Sequence, residues 1–396
     1  MRPNESSLAS LWKLDPGVTF LNHGSFGACP SSVLQEQQAL RERMERAPLS
    51  FLHRELEGEL DRARAAIGTF VHADPDDLAF VPNATTGVNT VLRSLELAPG
   101  DELLTTDHVY AACYNALGWV AERAGARVVV APVPFPLAGE DDVLGPVLER
   151  VTAKTRLLLI DHVTSPTALV FPVARLVGEL AARGVDTLVD GAHAPGMLPL
   201  DIASLGAAYY TANCHKWVCA PKGAAFLHVR RDRQSTMRPL VISHGAASSR
   251  VDRSRFRLEF DWTGTDDPTA YLSVPAAVDF LRRLLPGGLP ELYARNHQLA
   301  IAGRDRLCDA LRIRPPAPDS MIGAMVSLPL PDFTVPLDAV RPWRDPLQSA
   351  LLERHRIEVP IFAWPSWPRR FLRITAQAYN ALAHYEKLAG ALAAEL

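Results

Sequence analysis

Paired cysteines are missing from this chain. Its five cysteines, Cys29, Cys113, Cys214, Cys219 and Cys308, are scattered and odd in number. No CxxC pair accompanies them, so neither a disulfide framework nor a zinc site is expected. An excess of one charge is missing too. The 41 basic and 44 acidic residues leave a formal net charge of -3 without a long run of either sign, which argues against nucleic acid as a partner. No apolar run reaches the roughly 18 residues of a membrane span, so no membrane association is expected. The start, "MRPNESSLASLWKL", has no unbroken apolar stretch of the secretory kind, and a cytoplasmic location is expected. Internal repeats and low-complexity tracts are absent as well.

What is present is a large reserve of core. Of 396 residues, 48% are hydrophobic, enough for a main domain and a smaller one. Short apolar runs alternate with helical patterns. "LAFVP" precedes "TTGVNTVLRSLEL", in which Val88, Val91, Leu92 and Leu95 share one helix face. The alternation continues through "ELLTT", "ACYNALGWVAERAG", "RVVVA", a helical stretch at 141–150, "RLLLID", "ARLVGELAARG" and "DTLVD". This order predicts an α/β fold with a mostly parallel sheet covered by helices. "AAYYTA" and "AAFLHV" read as further strands, 230–260 as a loop or linker, and 268–285 and 290–312 as helices. A Pro-rich region with short strands completes a smaller α+β C-terminal domain.

Ligands of open parallel sheets bind beyond the carboxyl ends of the strands, so the polar residues there are the candidates. "NATTG" opens a helix directly after a strand, and its free N–H groups and hydroxyls suit either a phosphate or a helix cap. "TTDHVYAACY" sets His108 and Tyr110 after another strand, and "DHVTSPTALVFP" sets Ser165 and Thr167 after a third. Asp190 ends the apolar "DTLVD", where a carboxylate is poorly solvated unless it meets a cation. Lys216 in "NCHKWVCAPKG" sits among apolar and small neighbours. A desolvated lysine loses its proton readily and attacks carbonyl compounds, including the aldehyde of pyridoxal phosphate.

Five ordered segments carry a family resemblance: "FLNHGSFGACP" (20–30), "VPNATTGVNTVLRSL" (81–95), "VDGAHAPG" (189–196), "HKWVCAPKG" (215–223) and "LRITAQAYN" (372–380). The chain resembles the fold-type I pyridoxal-phosphate enzymes of the class V aminotransferase group. Within that group it is similar to the isopenicillin N epimerase branch, which also holds the carbon–sulfur lyases of ergothioneine and lincosamide biosynthesis. The resemblance implies pyridoxal 5'-phosphate as cofactor, bound covalently by Lys216. It further implies Asp190 at the pyridinium nitrogen, His193 and Ser165 at the ring oxygen, and Ala84, Thr85 and His215 at the phosphate. Asn213 joins them where many relatives have a serine. Either His108 or Tyr110 would cover one ring face, with Tyr110 favoured.

On the substrate side the resemblance implies Arg373 at the α-carboxylate and Asn22, His23 and Ser25 across the mouth. Thr265 would reach a phosphate in the neighbouring subunit, which implies a homodimer with active sites at the interface. Residues 1–20 would pack on the small domain, with a large domain at 21–265 and the small one at 266–396. The expected reaction is β-elimination from an S-substituted cysteine in a biosynthetic pathway, with Lys216 and Tyr110 as catalytic residues. Epimerisation, decarboxylation-coupled oxidative deamination and transamination are the alternatives. A cysteine desulfurase is disfavoured, because no cysteine lies between 220 and 307 or after 308 to carry sulfur.

Overall fold

After a short β1 (Thr19–Phe20), the chain lays down β2 (Leu78–Val81), β3 (Glu102–Thr106), β4 (Arg127–Ala131), β5 (Thr155–Asp161), β6 (Asp186–Asp190), β7 (Tyr209–Asn213) and β8 (Ala225–Val229). In the computed structural model, which describes residues 8–333 and 345–396, these last seven form one sheet in the order β2-β8-β7-β6-β5-β3-β4. From β4 to β7 neighbouring strands are parallel, and β8 runs antiparallel to both β7 and β2. Both faces are buried, which explains the near-continuous apolar strands. Leu104, Leu158, Ile160 and Val189 pack on one side, while Leu103, Leu157, Leu159 and Leu188 pack on the other.

The crossover helices include Ala84–Ser94, Ala111–Ala124, Asp141–Glu149 and Val173–Ala181. Asn83 caps the first of these by accepting from Thr86 N at 2.8 Å. Gly87 lets that helix rest directly on β7, since a Cβ there would meet Thr211 Oγ1 at 2.0 Å. The helix N-terminus is thereby brought beside the end of β7.

A second, antiparallel sheet has the order β11-β12-β9 and is built from β9 (Met325–Leu330), β11 (Ile361–Ala363) and β12 (Arg370–Thr375). β10 (Ile357–Glu358) pairs in parallel with β1. The helix Val274–Arg283 packs on the earlier helices Ser31–Arg46 and Leu56–Val71. Residues 1–7 of the expected N-terminal segment and 334–344 of the expected C-terminal domain lie outside the described residues.

The expectation of a loop or linker at 230–260 is corrected. This stretch holds 3-10 turns and a helix, Arg255–Phe260, that begins at the capping side chain of Ser254. Phe256 and Phe260 enter the core, and three of the arginines that made the segment look solvated are paired with the 56–71 helix. Arg253 and Arg257 meet Asp61, Arg250 meets Glu57 at 2.8 Å, and Arg64 forks onto Asp261 at 2.6 and 3.0 Å. Arg64 is only 1% exposed. Truncating Arg64 leaves the charge of Asp261 only the longer contact with Arg257 Nε at 3.4 Å. Arg64→Ala is therefore expected to lower the stability by about 3–5 kcal/mol, measured as a reduced midpoint in denaturant unfolding.

Candidate active site

The carboxyl ends of β2, β3, β5, β6 and β7 meet at one edge of the large sheet, and β12 faces them from the small sheet. Asp161 and Asp190 close β5 and β6 in register, and Asp190 is in turn opposite Thr211 of β7. Three residues past the end of β7 stands Lys216.

Lys216 Nζ lies 3.1 Å from His193 Nε2. Burial, then the charge of Arg373, brings its pKa down to about 8, so a usable share of the amine is neutral near pH 7. The loop beneath it is held by the "NHGSFG" segment. Gly27 has a φ of +69° and passes so close that a Cβ would sit 2.1 Å from His215 O. His23 is corrected from a substrate-facing expectation: it is fully buried, with Nδ1 2.8 Å from Tyr379 Oη and Nε2 3.0 Å from Lys216 O. Both ring nitrogens are engaged with the protein, so the ring supports the Lys216 backbone.

Asp190 is buried and has no ion-pair partner among the described residues. Its Oδ1 accepts from Ala192 N at 3.0 Å and its Oδ2 from the Cys113 thiol at 3.3 Å. Burial raises its pKa. Asp161 was not foreseen, although it carries the same strand-end signal as Asp190. It is buried, its Oδ1 lacks a partner among the described residues, and burial followed by the Asp190 charge raises its pKa well above the ordinary range. The backbone N–H groups of Ser165 and Tyr110 oppose that rise.

Arg373 of β12 is 5% exposed and has no carboxylate partner among the described residues. Its Nη1 donates to Ser165 O at 2.6 Å and to Ser165 Oγ at 3.2 Å, and its Nη2 donates to Ser25 Oγ at 3.1 Å. Its Nε is buried and unpartnered, and burial draws its pKa down to about 10. Ser165, expected at a ring oxygen, accepts from the arginine through both its carbonyl and its hydroxyl. Asn22 accepts from Ser25, which keeps that hydroxyl in place.

Of the two candidates after β3, His108 points away from the site. It is fully buried, bonded to Thr167 Oγ1 at 2.6 Å and Val133 O at 2.9 Å, and packed against Phe171 and Trp364. This corrects its inclusion among the cofactor-facing residues. Tyr110 is 41% exposed and feels the charges of Asp190 and Arg373, while burial raises its pKa. At the start of the 84–94 helix, Ala84 N already donates to Asn213 Oδ1 at 2.9 Å. That leaves Thr85 and the Asn213 amide nitrogen for a ligand. His215 bonds Ala224 O through Nδ1 at 3.0 Å. Thr265 is exposed in a loop.

The residues present fit pyridoxal phosphate. A buried carboxylate without a cation matches a pyridinium nitrogen, a desolvated amine matches an aldehyde, and the open end of an eleven-residue helix matches a phosphate. No group of three or more His, Cys, Asp or Glu residues that could hold a metal ion occurs among the described residues. None of the described helices is long and apolar enough to cross a membrane.

Residues 25–331 match the sequence profile of the family described as Aminotransferase class-V. The chain is 37% identical to an isopenicillin N epimerase of Amycolatopsis lactamdurans over 96% of this chain and 95% of that protein. It is 32% identical to a putative L-cysteine desulfhydrase 1 of Oryza sativa subsp. japonica over 96% of this chain and 83% of that protein. Among solved structures, the cystine C–S lyase C-DES in complex with its reaction product cysteine persulfide superposes with a TM-score of 0.79. The match has 24% identity and covers 96% of this chain and 98% of that one, a likeness that speaks for the fold.

Proposed function

The chain belongs to the aminotransferase class-V family and is a pyridoxal-phosphate-dependent enzyme acting on amino acids; from that premise we propose that it is a carbon–sulfur β-lyase cleaving an S-substituted cysteine. The observation that carries this reading is the Tyr110 hydroxyl. It is half-exposed at the mouth, within the fields of both Asp190 and Arg373, and burial keeps it protonated. An acid so situated is suited to protonate a leaving sulfur. All five cysteines are buried free thiols, so none is presented as a mobile sulfur acceptor, which favours release of the sulfur product.

Bound pyridoxal phosphate supplies an electrophilic aldehyde and an electron-accepting ring. Lys216 would bond that aldehyde, Asp190 would hold a proton at the ring nitrogen, His193 would face the ring oxygen, and Thr85, Asn213 and His215 would hold the phosphate. Arg373 grips the substrate carboxylate with its planar fork, Ser25 and Ser165 fixing the angle of the guanidinium. Lys216 Nζ, once free, takes the Cα proton, and Tyr110 Oη gives a proton to the departing sulfur. Thr265 is exposed in a loop, where a second subunit could reach it. A homodimer in which it meets a partner's phosphate site is part of the proposal.

Incubation with a panel of cysteine S-conjugates tests the reaction. Pyruvate and ammonia with a sulfur product are expected. Racemised substrate without fragments would instead favour the epimerase reading suggested by the 37% identical relative, and carbon dioxide with an aldehyde would favour decarboxylative deamination. A separate variant tests the carboxylate site. Arg373→Lys keeps the charge but loses the fork, so KM is expected to rise about 10–100-fold while the cofactor absorbance stays unchanged. Unchanged kinetics would move the carboxylate site elsewhere.

A further inference from the structure

We infer that Trp217 fixes the tautomer of His193, making it a neutral ring that presents Nε2–H, and never a bare Nε2, to Lys216 and to any acceptor that takes the amine's place. The inference starts from an asymmetry between two ring systems. The indole Nε1 of tryptophan has a hydrogen and no usable lone pair, so it can only donate. Trp217 Nε1 lies 3.4 Å from His193 Nδ1, and a donor there requires the lone pair of the imidazole to be on Nδ1. A neutral imidazole carries one hydrogen, which must then be on Nε2, the atom 3.1 Å from Lys216 Nζ. When Lys216 is in its neutral, nucleophilic form the polar chain therefore has one direction: Trp217 Nε1–H to His193 Nδ1, then His193 Nε2–H to Lys216 Nζ.

Burial protects this arrangement. Trp217 is 0% exposed and His193 is 2% exposed, so the environment offers little water to compete for Nδ1. Burial and the positive fields of Lys216 and Arg373 hold the His193 pKa well below its ordinary value, which keeps the ring neutral. The other polar rings nearby are engaged with backbone carbonyls, His23 with Lys216 O and His215 with Ala224 O.

Two consequences follow. His193 is excluded as a base, because its one lone pair is covered by the indole, and Lys216 is left to move the proton. When the cofactor is bonded to Nζ, the same Nε2–H is available to the ring oxygen, so Trp217 is a positioning residue that acts on the cofactor through His193. The tautomer itself rests on contacts within the chain, and it stands or falls independently of whether the reaction is elimination or epimerisation.

The test is nitrogen-detected NMR of the holoenzyme labelled with ¹⁵N-histidine, the His193 signals being assigned by their loss in His193→Gln. The expected spectrum shows a protonated Nε2 and a bare Nδ1; a protonated Nδ1, or an imidazolium, would overturn the inference without recourse to any Trp217 variant. In Trp217→Phe the ring is expected to populate the other tautomer, and an unchanged spectrum would remove Trp217 from the role. A second readout is the pH midpoint of the absorbance of the Lys216-bound cofactor. It is expected to move by about one pH unit in Trp217→Phe and His193→Leu. His193→Gln, which retains both an acceptor for the indole and a donor toward Lys216, is expected to hold the wild-type midpoint. A glutamine variant displaced as far as the leucine one would contradict the directed chain.

Discussion

Lys216→Ala is expected to lower kcat by at least roughly ten-thousand-fold, the upper end of what one positioned acid–base group contributes, because the same nitrogen is asked to bond the cofactor and to move the substrate proton. Among the described residues the side chain has one hydrogen-bond partner, His193, and its pKa of about 8 reflects a cost of burying charge. Its removal is therefore expected to leave the fold intact. Borohydride reduction followed by mass spectrometry supplies a readout besides turnover: wild-type protein should carry one cofactor mass on the peptide containing Lys216, and the variant none. A label on another lysine, or near wild-type turnover in the variant, would defeat the assignment.

Asp190→Ala is expected to reduce kcat by about 10²–10³, the usual loss when one preorganised electrostatic partner is removed. Lys216 should still accept the cofactor covalently, since the Asp190 charge raises the pKa of its amine and losing that charge leaves the amine more readily neutral. The stability of the cofactor-free protein separates function from capping. Asp190 is a buried carboxylate without a cation, its charged form disfavoured by burial, so its loss should leave that stability unchanged or raised. A side chain serving only as acceptor for Ala192 N would give the reverse, with lowered stability and retained turnover.

Much of the fold was legible because both faces of the large sheet are covered. Strands such as "RLLLID" and "DTLVD" must then be apolar throughout, and the intervening helices must repeat their apolar residues at helical spacing. The 230–260 stretch was misread because its arginines look solvated in sequence. Several of their partners, Glu57 and Asp61 among them, lie on a helix nearly 200 residues away, and long-range ion pairing has no local signature.

The sequence by itself determined the chemical inventory: a lysine in apolar surroundings, a carboxylate at a strand end, an arginine in "LRIT" and a helix opening on "NATTG". Each of these signals is local, set by residue type against its immediate neighbours. Direction and pairing were decided only by the tertiary structure. His108 and Tyr110 are two residues apart, yet one is sealed into the core against Trp364 and the other reaches the mouth. His23 supports the Lys216 backbone from a segment 193 residues away, and Ser165 meets Arg373 across 208. Asp161 joins Asp190 only because β5 and β6 stand in register. A side chain's partner depends on which elements the sheet brings together, and that is a property of the packed core, which single-residue chemistry does not encode.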